Sequence, residues 1–195
     1  MTVREDFSVH PLTPERWGDL EALFGPRGAV GGCWCMWWRI RRSEYERAKG
    51  DGNRASLERI VAGGAVPGII GYHGDVPVAW CSVEPRDSFP VLDRSRVLAR
   101  VDDAPVWSVV CFFVAKPHRA SGVGVRMLRA AVDHAARLGA TVVEGYPVEP
   151  VKERMPEVFA HTGFSSMFLA AGFEEVERRS PTRPIMRYVI GAKTV

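Results

Sequence analysis

The sequence predicts an α/β (α+β) fold in which helices flank a mixed β-sheet. The apolar run WSVVCFFV (107–114) predicts a strand that is covered on both faces. An amphipathic helix follows from about Val123 to Leu138, and TVVEGYPV (141–148) predicts a second strand. Because a strand–helix–strand unit with short connections forms a right-handed crossover, we expect these two strands to be parallel.

Further elements are predicted on both sides of this unit. PGIIGYHGDVPVAWCSVEP (67–85) is typical of a β-hairpin that turns at 73–75. Additional strands are predicted in DFSVHPL (6–12), FEEVERR (173–179) and IMRYVI (185–190). Helices are predicted in TPERWGDLEALFG (13–25), in NRASLERIVAGG (53–64) with Asn53 as N-cap, and near Ser166 to Ala171.

Length and composition indicate one domain spanning 1–195, with 46% hydrophobic and 25% charged residues. The net charge of +3 is too small to indicate a nucleic-acid partner. The start, MTVREDFSVH, lacks an apolar signal core, and no stretch approaches the ~20 apolar residues of a membrane span. We therefore expect a cytoplasmic protein that binds neither nucleic acid nor membrane, and a homodimer is compatible with the sequence.

The four cysteines are expected to be free thiols of a reducing compartment. Cys33 and Cys35 form a C-x-C pair, which is poor spacing for zinc, and we expect no metal. Cys111 lies inside an apolar run, where packing is a more ordinary role than covalent acyl transfer. A shared metal or redox role of Cys33 and Cys35 is the alternative.

Glycines mark the start of the long helix, in the stretch RASGVG (119–124). Free N–H groups at a helix N-terminus bind anions, and glycine lets a phosphate approach the backbone. Arg119, Lys116 and His118 add positive charge beside Gly122 and Gly124. The dinucleotide and P-loop fingerprints both fail here. The alternative is an ordinary loop.

The stretch Arg119-Ala-Ser-Gly122-Val-Gly124 resembles the Q/R-x-x-G-x-G/A pyrophosphate loop of the GNAT acyltransferase superfamily. The hairpin at 66–84 is similar to that family's second and third strands, and FSSMFLAAGF (164–173) to its last short helix. The resemblance implies a GNAT-like, mostly antiparallel sheet whose parallel central strands splay apart. It also implies acetyl-CoA, or another acyl-CoA, as co-substrate.

In that family the pantetheine arm lies between the splayed strands and the pyrophosphate lies on the glycine loop. Carried over to this chain, the resemblance implies two groups of cofactor-binding residues. They are the strand residues Phe112, Phe113 and Val114, and the loop residues Arg119, Ala120, Ser121, Gly122, Val123, Gly124 and Val125.

The catalytic groups depart from the family pattern. Many members use a Glu on the fourth strand as base and a Tyr on the last helix as acid, but those places hold Ser108 and Phe168. Glu144 interrupts a buried strand and is the first candidate base, or else it pairs with Arg183 or Arg187. Tyr146 is a candidate acid, or a core tyrosine with a satisfied hydroxyl.

The acceptor side has further candidates. Glu84 is a second candidate base, or else a solvated loop residue past the third strand. The side chains of Trp34, Trp37 and Trp38 are expected to wall a flat or cationic acceptor, or to belong to the core.

The combined interpretation is an N-acetyltransferase. A primary amine of a small molecule attacks the acetyl-CoA thioester directly, after a base has removed a proton from an ammonium whose pKa is ~10. The alternatives are an acyl-CoA-binding sensor without catalysis, for which the missing Glu and Tyr argue, and a protein or peptide N-acetyltransferase.

Overall fold

A computed structural model describes residues 6–150 and 161–191. In this part of the chain seven strands form one sheet in the order β1-β2-β3-β4-β5-β7-β6. The strands are β1 Phe7–Pro11, β2 Gly68–His73, β3 Val76–Pro85, β4 Trp107–Val114, β5 Val142–Gly145, β6 Glu174–Arg178 and β7 Pro184–Val189. The α-helices are α1 Trp17–Phe24, α2 Arg42–Ala48, α3 Asp51–Ala62, α4 Val123–Arg137 and α5 Ser165–Ala171.

The sheet is antiparallel except at its centre, where β4 and β5 are parallel. Their register begins with Trp107 opposite Val143 and ends with Val109 opposite Gly145. β4 continues to Val114, five residues beyond this pairing, so the two strands part there. The predicted mixed sheet with a splayed parallel pair is confirmed.

Two hydrophobic clusters lie on opposite faces of the sheet. α4 packs on one face through Val123, Met127, Ala131 and Ala135, as the helical periodicity predicted. Leu138 was expected on the same stripe, but α4 ends at Arg137 and the Leu138 side chain is 57% exposed. The other face is covered by α1, α3 and the segments 28–41 and 86–106.

Two features of the first half of the chain differ from the sequence analysis. α3 begins at Asp51 after Gly50, so Asn53 lies inside its first turn instead of capping it. The buried Asn53 amide donates to the carbonyl of Gly32, 3.2 Å away, and thus holds the 28–41 segment against α3. α2 was not predicted, because its sequence RSEYERA has only Tyr45 as a buried residue.

Among the described residues, no helix is long and apolar enough to cross a bilayer.

Candidate active site

A cavity of about 570 Å³ opens where β4 and β5 part. Its walls come from the end of β4, the loop that follows it, the first turn of α4 and the segment before α5. Nine of the ten predicted cofactor-binding residues line it: Phe112, Phe113, Val114, Arg119, Ala120, Gly122, Val123, Gly124 and Val125. The tenth, Ser121, does not, and its hydroxyl donates to the carbonyl of His118 at 2.6 Å.

The N-terminus of α4 forms one end of this cavity. Gly122 precedes the helix with φ 82° and ψ −2°, a left-handed conformation that glycine adopts without strain. A Cβ at Gly122 would meet no atom within 4 Å, so space is open beside it. The first N–H groups of a helix lack intrahelical partners and carry the positive end of its dipole. This end of the cavity therefore suits an anion.

Gly124 has a different structural role. A Cβ at this position would overlap the sulfur of Met167, which reaches α4 from α5. The sequence suggested that both glycines clear room for a phosphate. Gly122 borders open space, whereas Gly124 allows the close packing of α5 on α4.

The segment 161–164 bridges the opening between the parallel strands. The N–H of Phe112 on β4 donates to the carbonyl of His161 at 2.6 Å. On the other side, Val148 donates to the carbonyl of Gly163 at 2.8 Å, just past β5. A further backbone group of β4 is engaged too, because Arg119 Nε donates to the carbonyl of Val114 at 2.8 Å.

A row of polar residues crosses the sheet next to the splay. Glu84 of β3 is opposite Ser108 of β4, which is opposite Glu144 of β5, which is opposite Arg187 of β7. All four therefore lie at one level of four neighbouring strands. The first three are buried.

Glu144 is the most enclosed member of this row, with a side chain only 1% exposed. Its Oε1 accepts from Arg86 Nη1 at 3.1 Å and from the Tyr146 hydroxyl at 2.7 Å. Its Oε2 accepts from Arg187 Nε at 2.7 Å. Arg187 is one of the two partners that the sequence suggested, while Arg183 instead donates to Thr162. The carboxylate thus lies between two guanidinium groups.

Tyr146 completes the network around this carboxylate. Its oxygen accepts from Arg86 Nη1 at 2.6 Å and lies 2.8 Å from Ser108 Oγ. Because the tyrosine proton points to Glu144, Ser108 is the donor in the latter contact. Burial, and then the negative charge of Glu144, raise the pKa of Tyr146 above its ordinary value. The hydroxyl therefore stays protonated at neutral pH.

Arg86 is a member of this network that sequence reasoning missed. It follows β3 directly, yet only 2% of its side chain is exposed. Besides Glu144 and Tyr146 it binds Asp93 Oδ1 at 3.0 Å and the carbonyl of Leu98 at 2.8 Å. The available signal was indirect: a carboxylate in a buried strand needs a partner, and the neighbouring irregular segment contains several arginines.

Glu84 belongs to β3 and is buried, so its interpretation as a solvated loop residue was wrong. It forms a close ion pair with Arg39 Nη2. The Arg39 guanidinium also lies over the ring of Phe89, 4.6 Å from its centroid. Among the described residues, Glu84 therefore has one cationic partner and Glu144 has two. Its side chain is 11% exposed, against 1% for Glu144.

The three tryptophans do not share one surface among the described residues. Trp34 is buried, stacks on Trp17 at 5.9 Å, and borders a separate open hollow of about 870 Å³ between α1 and α3. Trp38 is buried, with its ring 6.4 Å from that of His161 at the cavity. The ring of Trp37 forms an edge-to-face contact with the ring of Tyr45, and the Arg42 guanidinium lies over the Trp37 ring. Trp38 is thus the one nearest the cavity.

Comparison with known proteins agrees with this architecture. The family model described as "Acetyltransferase (GNAT) family" matches residues 34–164, which is more than half of the chain. The chain therefore belongs to the GNAT acetyltransferase family, and the family resemblance of its glycine loop is confirmed. No curated protein matches the sequence.

Solved structures share the fold at low sequence identity. A GNAT-family acetyltransferase of Listeria monocytogenes is 9% identical with a TM-score of 0.60, covering 94% of this chain and 95% of its own. The yncA protein of Salmonella typhimurium, solved with its cofactor acetyl-CoA, is 12% identical with a TM-score of 0.53, covering 97% of both chains. PaiA N-acetyltransferase of Thermoplasma acidophilum, solved with coenzyme A, is 10% identical with a TM-score of 0.53, covering 94% and 98%. At these identities the likeness establishes the fold.

Proposed function

We propose that this chain transfers the acetyl group of acetyl-CoA to a primary amine of a small molecule. The observation that carries the proposal is the cavity that joins the N-terminus of α4 to the splayed end of β4. Its volume of about 570 Å³ is in the range of small-molecule and cofactor sites. The yncA and PaiA structures, which contain acetyl-CoA and coenzyme A, support the choice of ligand.

The diphosphate of acetyl-CoA would lie against the N–H groups of the first turn of α4. Gly122 lets it approach the backbone, and the helix dipole stabilises its charge. The pantetheine arm would extend along β4 towards the row of polar residues. To bond the Phe112 N–H it must replace the carbonyl of His161, which accepts from that group.

The attacking amine must lose a proton, because an alkylammonium has a pKa of ~10 and no free electron pair. We assign this step to Glu84. Among the described residues its carboxylate pairs with one arginine and is 11% exposed, whereas both oxygens of Glu144 already accept from guanidinium or hydroxyl groups. Glu84 also lies opposite Ser108, the position where many family members carry their base.

Glu144 and Tyr146 act in this scheme as positioning residues. Both bind Arg86, which also holds the carbonyl of Leu98, and Glu144 binds Arg187, which in turn pairs with Asp102. These contacts hold the 86–106 segment over the sheet. Ser108 donates to Tyr146 and leaves a small side chain beside Glu84.

Because all four cysteines are free thiols, we also propose a reducing, cytoplasmic setting.

A catalytically silent acyl-CoA sensor is the second candidate. It is favoured by Ser108 at the base position and by Phe168, fully buried, at the acid position. A panel of primary amines with acetyl-CoA, followed by the release of free thiol, separates the two. Amine-dependent thiol release at a steady rate supports the enzyme. Tight binding of acetyl-CoA without release by any amine supports the sensor.

A further inference from the structure

Two cysteine thiols outside the polar row face each other in the core. Cys35 Sγ and Cys111 Sγ lie 3.3 Å apart, although 76 residues separate them in sequence. Both side chains are buried. Cys35 belongs to the 28–41 segment, and Cys111 is the residue of β4 before Phe112, which lines the cavity. The pair therefore connects the 28–41 segment to β4.

The conformation of the 28–41 segment directs Cys35 to this place. Trp34 and Cys35 have φ angles of 43° and 53°, so two consecutive residues with side chains adopt the left-handed region. Such a conformation is unfavourable for L-residues and persists when the surroundings enforce it. The indole N–H of Trp80 donates to Cys35 Sγ at 3.0 Å and holds the sulfur beside Cys111.

A third thiol connects this pair to the surface. Cys33 is partly exposed and lies two residues before Cys35 in the same segment. Among the described residues, no group of three His, Cys, Asp or Glu side chains is arranged to hold a metal ion. The fourth cysteine, Cys81, is buried and packs in the hydrophobic cluster on the opposite face of the sheet. Cys81 is therefore a built-in control for thiol reactions.

We propose that Cys35 and Cys111 form an intramolecular disulfide when the chain meets a low-molecular-weight disulfide oxidant, with Cys33 as the first thiol to react. The Cys33 thiolate attacks the oxidant and forms a mixed disulfide, releasing one small thiol. Cys35 attacks the Cys33 sulfur and expels the second small thiol. Cys111 then attacks Cys35 and returns Cys33 as a thiol.

These steps balance. Two protein thiols are oxidised to one disulfide, the oxidant is reduced to two small thiols, and the protons of Cys35 and Cys111 end on them. A hydrogen bond with a neighbouring thiol, that of Cys35 for Cys33 and that of Cys111 for Cys35, and then burial raise the pKa of both groups, so exchange is slow at neutral pH. The product pins the 28–41 segment to β4 beside the cavity. This inference is independent of the proposed function.

Glutathione disulfide is the oxidant for the test. After incubation the protein is unfolded, its remaining thiols are alkylated, and intact mass and peptide mapping locate the bridge. We expect two of the four thiols to be lost, an intact mass about 2 Da lower before alkylation, and a Cys35–Cys111 cross-linked peptide. Dithiothreitol should restore all four thiols.

Two single variants test the route. Cys33→Ser should slow formation of the bridge by about tenfold or more, because the exposed thiol is lost. Cys81→Ser should leave the rate unchanged. Retention of four alkylatable thiols, a bridge between chains, or a stable Cys33–Cys35 bridge would overturn the proposal. Equal rates in the Cys33→Ser variant and the unaltered chain would overturn the role of Cys33.

Discussion

Glu84 on β3 lies directly opposite Ser108 on β4, so a buried carboxylate stands one strand away from the family's usual base position. A carboxylate on the neighbouring strand can occupy the same face at the same level, because opposing residues of an antiparallel pair project to one side. Under the proposed function, Glu84 takes the place of the glutamate that β4 lacks, and sequence position alone does not reveal this.

Glu84→Gln should lower kcat by about 10²–10⁴-fold, because an amide cannot accept the proton of the acceptor ammonium. The Kd for acetyl-CoA should stay the same, since Glu84 does not line the cofactor cavity. Steady-state kinetics with the best amine of the panel, combined with calorimetry, measure both. Glu174→Gln, an exposed member of the same cross-strand row, is the control. An unchanged kcat in Glu84→Gln would show that Glu84 is not the base.

Glu144→Gln should lower the free energy of unfolding by about 3–5 kcal/mol, because it leaves two arginines without their buried counter-charge. Urea denaturation measures the loss. Glu46→Gln removes the partner of Arg42 in an exposed pair and should cost less than about 1 kcal/mol. Similar costs for the two variants would show that the Glu144 network contributes little to stability.

Gly122→Asp should weaken acetyl-CoA binding by about tenfold or more, because a carboxylate would repel the diphosphate at the start of α4. Gly139→Asp is the matched control: this glycine is also left-handed and borders open space, but lies after the other end of α4. Both variants place aspartate at a left-handed φ, 82° at Gly122 and 87° at Gly139, and aspartate tolerates this region better than most residues. An equal loss of acetyl-CoA affinity in the two variants would show that Gly122 does not belong to the binding site.

Gly124→Ala should destabilise the fold by about 1–3 kcal/mol, because its methyl group overlaps the sulfur of Met167. Met167→Ala costs stability alone but should relieve this overlap, so the double variant is more stable than the sum of the single changes predicts. Thermal or urea unfolding of the four proteins measures the coupling. Additive effects would mean that Met167 moves aside without cost.

The central part of the fold could be predicted because local patterns determine it. The apolar run of β4, the stripe of α4 and the glycine loop lie within about thirty residues of each other and need no distant partner to be recognised. The cofactor cavity is built mainly from this stretch, which explains why nine of ten predicted lining residues are found there.

The row of polar residues and its partners could not be predicted equally well, because distant segments build them. Arg86 and Glu144 meet across 58 residues, and neither carries a local signal of the other. Arg39, which pairs with Glu84, belongs to the distant 28–41 segment. Glu84 was placed just past the third strand, yet β3 continues to Pro85, a terminal position where a sheet accepts proline.

The central claim is that α4 holds a diphosphate through its N-terminal N–H groups. The most direct test titrates the chain in a calorimeter with acetyl-CoA and, in parallel, with acetylpantetheine, which has the same thioester arm and no diphosphate. We expect acetyl-CoA to bind at least about 100-fold more tightly, in keeping with charge-assisted hydrogen bonds to several N–H groups. Equal affinities, or no binding of acetyl-CoA, would contradict the account.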